Sequence, residues 1–497
     1  MNTSSSGSAT RLPRPTRRHD RTLFVPLVAL LLTACASRPP ESAGPIAMPT
    51  RYARAWRPAA GFARMPAGSW WQVFRDPELD HLEVLVARQN QSLAAQLAVY
   101  DQARAALDAA RAAYAPTLSV GASSTRSQTA SSAAGVAVPG HSFTSDSVSA
   151  SAAWTPDLWG KVRLQVQAGS ATAAASAATF RFTLLSLQGT LAQSYLQLRT
   201  VEAQVKLAQK TVLAYRRALQ FNENTYKAGV ASAAGVAQAR TQWLQAQTTL
   251  TDLGVTRAQL QNGIAVLTGQ SPAGFQIPEA AGALPAVPRI PPGLPIELLQ
   301  RRPDLASASH SVEAANALLG VAQTAWLPNL TLSAQAGSQA AQIADLFSAP
   351  SLFWSLGPSV TELLFDGGLR RAQRASSRAV YRQTVANYRQ SVLTALEQVQ
   401  DNLAAQHILA LEARQQDALV RAADVSLRIA ENQYKAGIAP YTDVILAQNT
   451  ASSARDGSLV LRNRRYSAAV ALIEALGGGW GSRPTAPVAM PTQGRSR

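Results

Sequence analysis

The sequence predicts a mainly helical protein with a small β-part, built from two copies of one pattern. Three observations lead to this fold class. Residues 160–227 keep a helical pattern without proline, and a single helix of that length would span about 100 Å. Segments near residues 118–122 and 147–154 instead alternate with a period of two, as strands do. Motifs of the first half also return about 210 residues later, which indicates an internal duplication.

The amino-terminal segment has the layout of a signal peptide. Five arginines between residues 11 and 21 precede an apolar stretch, Thr22–Leu32, and small residues then lead to Cys35, the single cysteine of the chain. Residues 32–35 resemble the bacterial lipoprotein signature, in which residues 1–34 are removed and the cysteine is acylated. By the same resemblance, Ala36 and Ser37 imply sorting to the outer membrane. The alternative is a fortuitous cysteine after an ordinary signal peptide.

The first half is predicted to follow in a fixed order of elements. After a Pro- and Gly-rich tether over residues 35–75, Asp76 is a candidate N-cap and Pro77 the first residue of a helix. Apolar residues recur at helical spacing from Leu79 to about Ala113. The remaining elements are two strands joined by a Ser/Gly/Ala loop at 127–140, the long helix ending at residue 227, a turn, and a second helix over 232–267.

The second half repeats this order. Tyr226, Lys227 and Gly229 return 208 residues later as Tyr434, Lys435 and Gly437, and a strand entry at Pro116 returns 212 residues later at Pro328. Two anchors at nearly one spacing predict a duplication. We place the first repeat at 76–284, a Pro-rich linker at 285–295, the second repeat at 296–479 and a tail at 480–497, with the third and fourth strands at Asn329–Gln339 and Leu352–Phe365.

Composition excludes several classes of function. The formal charge is +17, from 46 basic and 29 acidic residues, yet the basic residues are spread along the chain rather than clustered with aromatic residues. We therefore expect no nucleic-acid partner. The histidines lack metal-ligand spacing, and no metalloprotease, serine-hydrolase or phosphate-loop motif occurs. We expect no enzyme, no cofactor and no metal site.

The predicted strands are the elements of the mature chain that could cross a membrane. After the signal peptide, no segment offers the roughly 18 continuous apolar residues of a transmembrane helix, so a bilayer crossing would need the strands. Four strands cannot close on themselves, because the smallest spanning barrels use about eight. A homotrimer would supply enough strands to enclose a passage, and the long helices would project from one membrane face as a tube wall. The alternative is a lipid-anchored periplasmic helical scaffold without a pore, whose strands form a soluble sheet.

Several tracts resemble a known family. They are Leu299–Leu305, Leu364–Gly368 and Leu472–Trp480, and they are similar to the TolC-like outer-membrane factors, more narrowly to the NodT branch of efflux outer-membrane lipoproteins. The resemblance implies a homotrimeric duct with a β-barrel in the outer membrane and an α-helical barrel in the periplasm. It also implies a periplasmic adaptor (membrane fusion protein) and an inner-membrane pump of the resistance-nodulation-division (RND) type as partners, and export of toxic small molecules.

The resemblance further implies where the working residues lie. The two turns between long helices, which we call the tip turns, would sit at the periplasmic end of the tunnel and dock the adaptor. The docking candidates are Tyr226, Lys227, Gly229, Val230, Ala231 and Ser232 in the first tip turn and Tyr434, Lys435, Gly437, Ile438, Ala439 and Pro440 in the second. Helix capping by the glycines and dipole stabilisation by the lysines explain four of these residues equally well.

Just beyond the second tip turn, Thr442, Asp443 and Leu446 are candidates for the aperture of the tunnel. Many members of the family carry an aspartate about one turn further along, where this sequence has Leu446. Asp443 is the nearest carboxylate, and an acidic ring at Asp443 is our hypothesis. N-capping or first-turn stabilisation of the helix is the alternative.

Overall fold

The computed structural model of the chain describes residues 69–128, 132–133, 136–137, 141–230, 232–279, 283–290 and 301–478. Cys35 and its signal peptide, Ala231 of the first tip turn and the tail at 480–497 lie outside the described residues. The bounds of the repeats and of the linker stay predictions.

Two sets of elements follow one another along the chain. The first comprises α1 (Pro77–Gln89), α2 (Gln91–Ala112), β1 (Thr117–Gln128), β2 (Ser142–Trp154), α3 (Lys161–Lys227) and α4 (Ala233–Leu267). The second comprises α5 (Pro303–Thr324), β3 (Asn329–Ala340), β4 (Leu352–Thr361), α6 (Leu369–Lys435) and α7 (Tyr441–Ala475). Helices α3 and α6 both have 67 residues, and α4 and α7 both have 35. The predicted duplication is confirmed, because these equal lengths recur in the same order.

The entry into the first repeat follows the sequence, except for one break. The carboxylate of Asp76 accepts hydrogen bonds from the backbone N–H groups of Glu78 and Leu79, at 3.0 and 3.4 Å. The helix predicted from Leu79 to Ala113 is divided at Asn90, whose backbone is extended. The Asn90 side chain caps α2 by accepting from Leu93 N–H at 2.9 Å and also donates to the carbonyl of Leu267 at 2.8 Å. These two bonds explain the break, because a helical Asn90 could not cap the next helix.

The four strands form one antiparallel sheet in the order β1-β2-β3-β4, with β1 and β4 at its edges. A two-residue ribbon, Ser132–Ala133 paired with Val136–Ala137, lies within the predicted loop. Strand β4 ends at Thr361 rather than at Phe365, because Thr361 pairs with Asn329, the first residue of β3. No backbone of β3 is left to pair beyond that point.

Helix α3 is the element on which the others pack: it contacts α1, α2, α4, α5 and α7, while α6 packs on α5 and α7. The bulky core lies where α1, α3 and α7 meet, around Leu79, Tyr195, Tyr466 and Ile473. Away from that core, many of the buried positions of the long helices are alanines, among them Ala171 and Ala178 of α3 and Ala451 of α7. Small residues let the helix axes approach closely, so the long helices pack as thin layers. In the part of the chain that the structure describes, no helix combines the length and the apolar character needed to cross a membrane.

Candidate functional site

Both tip turns end a 67-residue helix with the same hydrogen-bonded motif. Gly229 and Gly437 have φ of 74° and 72°, in the left-handed region. The N–H of Val230 donates to the carbonyl of Thr225, and the N–H of Ile438 donates to that of Gln433, both at 2.9 Å. This is the Schellman arrangement, in which a left-handed glycine closes the helix. The capping role of both glycines is therefore observed, whatever else the turns bind.

The tip turns present apolar side chains at their outer ends. Val230 is 81% exposed and Ile438 is 76% exposed. Lys227 and Lys435, in the last turns of α3 and α6, are exposed as well. Ser232 caps α4 by accepting from Gly235 N–H at 3.3 Å, and Pro440 stands at the N-cap position of α7 without a side-chain cap. Each turn thus offers one exposed aliphatic residue beside a cation.

The two tip turns share a sequence but differ in the burial of their tyrosines. Tyr226 is exposed, whereas its counterpart Tyr434 is half-buried and its hydroxyl donates to Oδ1 of Asn222 at 3.2 Å. The Tyr434 ring also packs edge-on against Phe221, with centroids 5.8 Å apart, and lies 5.2 Å from the ring of Tyr441. Near the tip, α6 of the second repeat is therefore bonded to α3 of the first, and α6 and α7 are in aromatic contact.

A second bond joins the repeats about two turns from the first. The hydroxyl of Tyr215 on α3 donates to Oδ1 of Asn449 on α7 at 3.0 Å. Tyr441 is buried between the helices, and burial, followed by the nearby Tyr434 and Tyr215, raises its pKa to about 12. Sequence reasoning missed Asn222, Tyr215 and Tyr441. The available signal was a comparison of the repeats, since at the same 208-residue spacing these three positions correspond to alanines.

The three aperture candidates lie together on one side of α7. Thr442, Asp443 and Leu446 are all exposed, while Tyr441, Val444 and Ala447 are buried. Asp443 stands in the first turn of α7. It does not cap the helix, because Pro440 occupies the N-cap position. First-turn stabilisation and an acidic aperture remain as the two interpretations of Asp443.

The sheet has two chemically distinct faces. The register places apolar residues side by side in rows, for example Val120, Ala150, Ala336 and Trp354. The intervening residues, on the opposite face, form rows such as Ser119, Ser151, Gln335 and Ser355. Trp354 is 80% exposed, and Trp154 is partly exposed with its Nε1 donating to the carbonyl of Tyr114 at 3.0 Å. Neither tryptophan is packed in a core.

The polar face is uncharged and bonded to itself. Ser119 and Ser151 share a hydrogen bond of 2.8 Å, Ser123 and Ser147 share one of 2.9 Å, and Gln335 donates to Ser149 at 3.3 Å. The charged residues of the four strands are Arg126 and Asp146. By register both belong to the apolar face, beyond its apolar rows. The polar face therefore holds hydroxyl and amide groups alone among its side-chain hydrogen-bonding groups.

Comparison with known proteins agrees with this geometry. The family model described as "Outer membrane efflux protein" matches residues 84–270 and 294–478. The antibiotic efflux pump outer membrane protein ArpC of Pseudomonas putida is 30% identical over 466 residues, which cover 92% of this chain and 95% of ArpC. The pyoverdine export outer membrane protein OpmQ of Pseudomonas aeruginosa is 32% identical over 462 residues, covering 91% of this chain and 96% of OpmQ.

Among solved structures, the outer-membrane channel OprN superposes with a TM-score of 0.81 at 26% identity, covering 89% of this chain and 99% of OprN. The resemblance found in the sequence is thus confirmed, and the relatives are outer-membrane channels rather than enzymes. The protein belongs to the outer membrane efflux protein family.

Proposed function

We propose that this protein is the outer-membrane duct of a tripartite efflux system. It works as a homotrimer that passively exports small toxic compounds delivered by a periplasmic adaptor and an inner-membrane RND-type pump. The observation that carries the proposal is the two-faced sheet: one face suits lipid, and the other suits water and solutes.

The sheet also supports assembly from copies. Strands β1 and β4 each have one edge without a partner in the sheet, and unpaired backbone groups in lipid cost several kcal/mol each. Exposed apolar residues occur on both edge strands, such as Val120 on β1 and Leu356 on β4. Three copies would supply twelve strands, and a barrel of that size leaves a lumen wider than the side-chain-filled interior of an eight-stranded barrel.

The uncharged face supports passive export of varied cargo. Hydroxyl and amide groups, such as those of Gln335 and Ser149, carry no net charge with which to attract or repel a charged solute. Charge selection in pores uses rings of charged side chains, and this face has none among the described strands. We infer that the sheet passes cargo without selecting its charge, and that the partner pump supplies the energy.

The long helices suit the periplasmic tunnel and its docking end. Two pairs, α3 with α4 and α6 with α7, form antiparallel hairpins whose tip turns carry the exposed Val230 and Ile438. An adaptor would bind these turns through the docking candidates named above, and acylated Cys35 would anchor the chain to the outer membrane. Thr442, Asp443 and Leu446 would line the aperture.

Deletion of the gene tests the proposal. We expect the deletion strain to become more susceptible to dyes, detergents or antibiotics, and the purified protein to run as a trimer in detergent and to conduct ions in planar bilayers. A helical scaffold without a pore would leave susceptibility unchanged and show no conductance, and that result would overturn the proposal.

A further inference from the structure

A carboxyl group lies unpaired in the main core. Glu83, on α1, is fully buried among the apolar residues of α1, α3 and α7. Neither of its carboxyl oxygens has a hydrogen-bond partner among the described residues. A buried ionised carboxylate without a partner is strongly unfavourable, and such a group instead binds a proton. Glu83 is therefore uncharged in this fold.

A second carboxyl group occupies a notch in α3. Glu474, near the carboxyl end of α7, lies directly against Gly189 in the middle of the 67-residue α3, where a methyl group would overlap the Glu474 carboxyl. Glycine in a helix interior costs about 0.5–1 kcal/mol relative to alanine. The close approach of Glu474 explains why the helix has glycine at this position.

The charged groups around the two carboxyls are few. The carboxylates of Asp80 on α1 and of Glu474 act electrostatically on Glu83, and the carboxylate of Asp76 acts electrostatically on Asp80. Arg302, which precedes α5, faces Glu474, but its guanidinium also bonds Asp304 at 2.7 Å, the side chain of Gln398 at 2.9 Å and the carbonyl of Ala475 at 3.0 Å. The cation beside Glu474 is thus already paired with another carboxylate.

Burial raises the pKa of Glu83 well above its usual range, and Asp80 and Glu474 raise it further. Burial likewise raises the pKa of Glu474 to about 7, against a smaller opposing effect of Arg302. Glu474 also lines a cavity of about 470 Å³ between α3, α6 and α7, so water has access to it. In the described ranges, no group of three or more His, Cys, Asp or Glu side chains could hold a metal ion.

We propose that Glu83 and Glu474 form a proton-binding site that holds the carboxyl end of α7 against α1 and α3. With both groups protonated, the Glu474 carboxyl rests in the Gly189 notch. Loss of the Glu474 proton places a charge in the core beside Glu83, and the ionised group moves toward the cavity and weakens this attachment. The inference goes beyond the proposed function, because it requires neither a pore nor a cargo.

The sign of the pH effect follows from the direction of the shift. The pKa of Glu474 is higher in the folded protein than its ordinary value of 4.5. The proton therefore stabilises the folded packing fully below about pH 4.5, and this stabilisation is lost as pH rises through about 7. The end of α7 should be held more firmly at pH 5.5 than at pH 8.

Hydrogen–deuterium exchange of the full-length, detergent-solubilised protein tests the site. After correction for intrinsic rates, backbone exchange over residues 466–476 should rise by roughly tenfold to thirtyfold from pH 5.5 to pH 8 in the wild type. Glu474→Gln should remove this rise, because glutamine fills the notch without titrating. The matched control Glu412→Gln, at an exposed carboxylate paired with Arg464, should keep it. Retention of the wild-type rise in Glu474→Gln would overturn the proposal.

Two further variants separate a proton site from a merely structural contact. Glu83→Gln should leave the midpoint of the rise at its wild-type pH, because a neutral amide replaces a carboxyl that stays uncharged while Glu474 titrates. Gly189→Ala should displace the Glu474 carboxyl and give fast exchange at both pH values, whereas Gly254→Ala, in α4 with open space around it, should behave as the wild type. A midpoint that shifts in Glu83→Gln, or a pH-dependent Gly189→Ala, would contradict the assignment. These exchange measurements do not depend on conductance, so a negative result would leave the duct proposal intact.

Discussion

Asn222 and Tyr434 are the side chains that join the two repeats nearest the tip. Asn222 is buried, its amide nitrogen donates to the carbonyl of Ala218 at 2.9 Å, and its oxygen accepts from the Tyr434 hydroxyl. Because the oxygen is buried, it cannot exchange the lost bond for water without a local opening. This one bond therefore ties α3 to α6 at the end where the helix pairs turn back.

We predict that Tyr434→Phe loosens the tip. Leaving a buried acceptor unsatisfied costs about 1–3 kcal/mol, so proteolysis or hydrogen exchange in the second tip turn should accelerate by roughly tenfold. The control is Tyr226→Phe, at the corresponding but exposed tyrosine of the first repeat, which should leave both rates as in the wild type. Equal rates in the two variants would show that the Asn222 bond does not hold the tip.

Sequence alone could not distinguish these two tyrosines, because each stands in the same Tyr-Lys-Ala-Gly stretch. What does follow from local sequence is the helix end: the left-handed conformation of Gly229 and Gly437 depends on residues within one turn. The burial of Tyr434 depends on Asn222, which is 212 residues away. Features fixed by nearest neighbours were predictable, and features fixed by a distant partner were not.

At the scale of elements, the proposal that is tested most directly concerns the sheet, whose polar face should line the passage without selecting the charge of the cargo. We predict that Gln335→Glu and Gln335→Lys shift the zero-current potential in a KCl gradient in opposite directions, by similar amounts, toward cation and anion preference respectively. Gln335 belongs to a fully uncharged row, so either charge would be the first in that row.

Gln335→Met serves as the uncharged control and should keep the wild-type potential. If neither charged variant moves the potential while conductance persists, the Ser/Gln face does not line the passage. A response to one charge alone would show that this section of the duct already has a charge preference.

The element bounds show where periodicity is a good guide and where it fails. The long helix was predicted well because a proline-free stretch of 67 residues with helical periodicity is too long for any other regular element. The break at Asn90 was missed, since the apolar spacing continues through it and the bond from Asn90 to Leu267 is a tertiary contact. The end of β4 was placed four residues late, because its pairing partner, and not its own alternation, ends the strand.

At the scale of the whole molecule, the duplication gives each protomer two similar hairpins that are not equivalent. Asn222 and Tyr215 face Tyr434 and Asn449 across the repeats, whereas at the 208-residue spacing Asn222 and Tyr215 correspond to Ala430 and Ala423. The bonds therefore run from the first repeat to the second and have no counterpart within the second. In the proposed trimer, this asymmetry would let α6 and α7 move as a pair once the cross-repeat bonds open.

Such a movement would bring the exposed Asp443 of three protomers toward or away from the axis, and this leads to a prediction on the assembled duct. If Asp443 lines the aperture, as proposed above, Asp443→Ala should raise single-channel conductance in planar bilayers, because a methyl group would replace a hydrated carboxylate at the narrowest point. It should also lower the preference for cations. The loss of cation preference should be larger at 0.1 M than at 1 M KCl, because the screening length falls from about 10 Å to about 3 Å.

Asp252→Ala, at an exposed aspartate in α4, removes the same charge away from the aperture candidates and should leave conductance unchanged. Unchanged conductance in Asp443→Ala as well would leave Asp443 with its local role in the first turn of α7. A gain in both variants would point to total charge rather than position. A gain confined to Asp443→Ala would mean that position decides, as an acidic ring at the aperture requires.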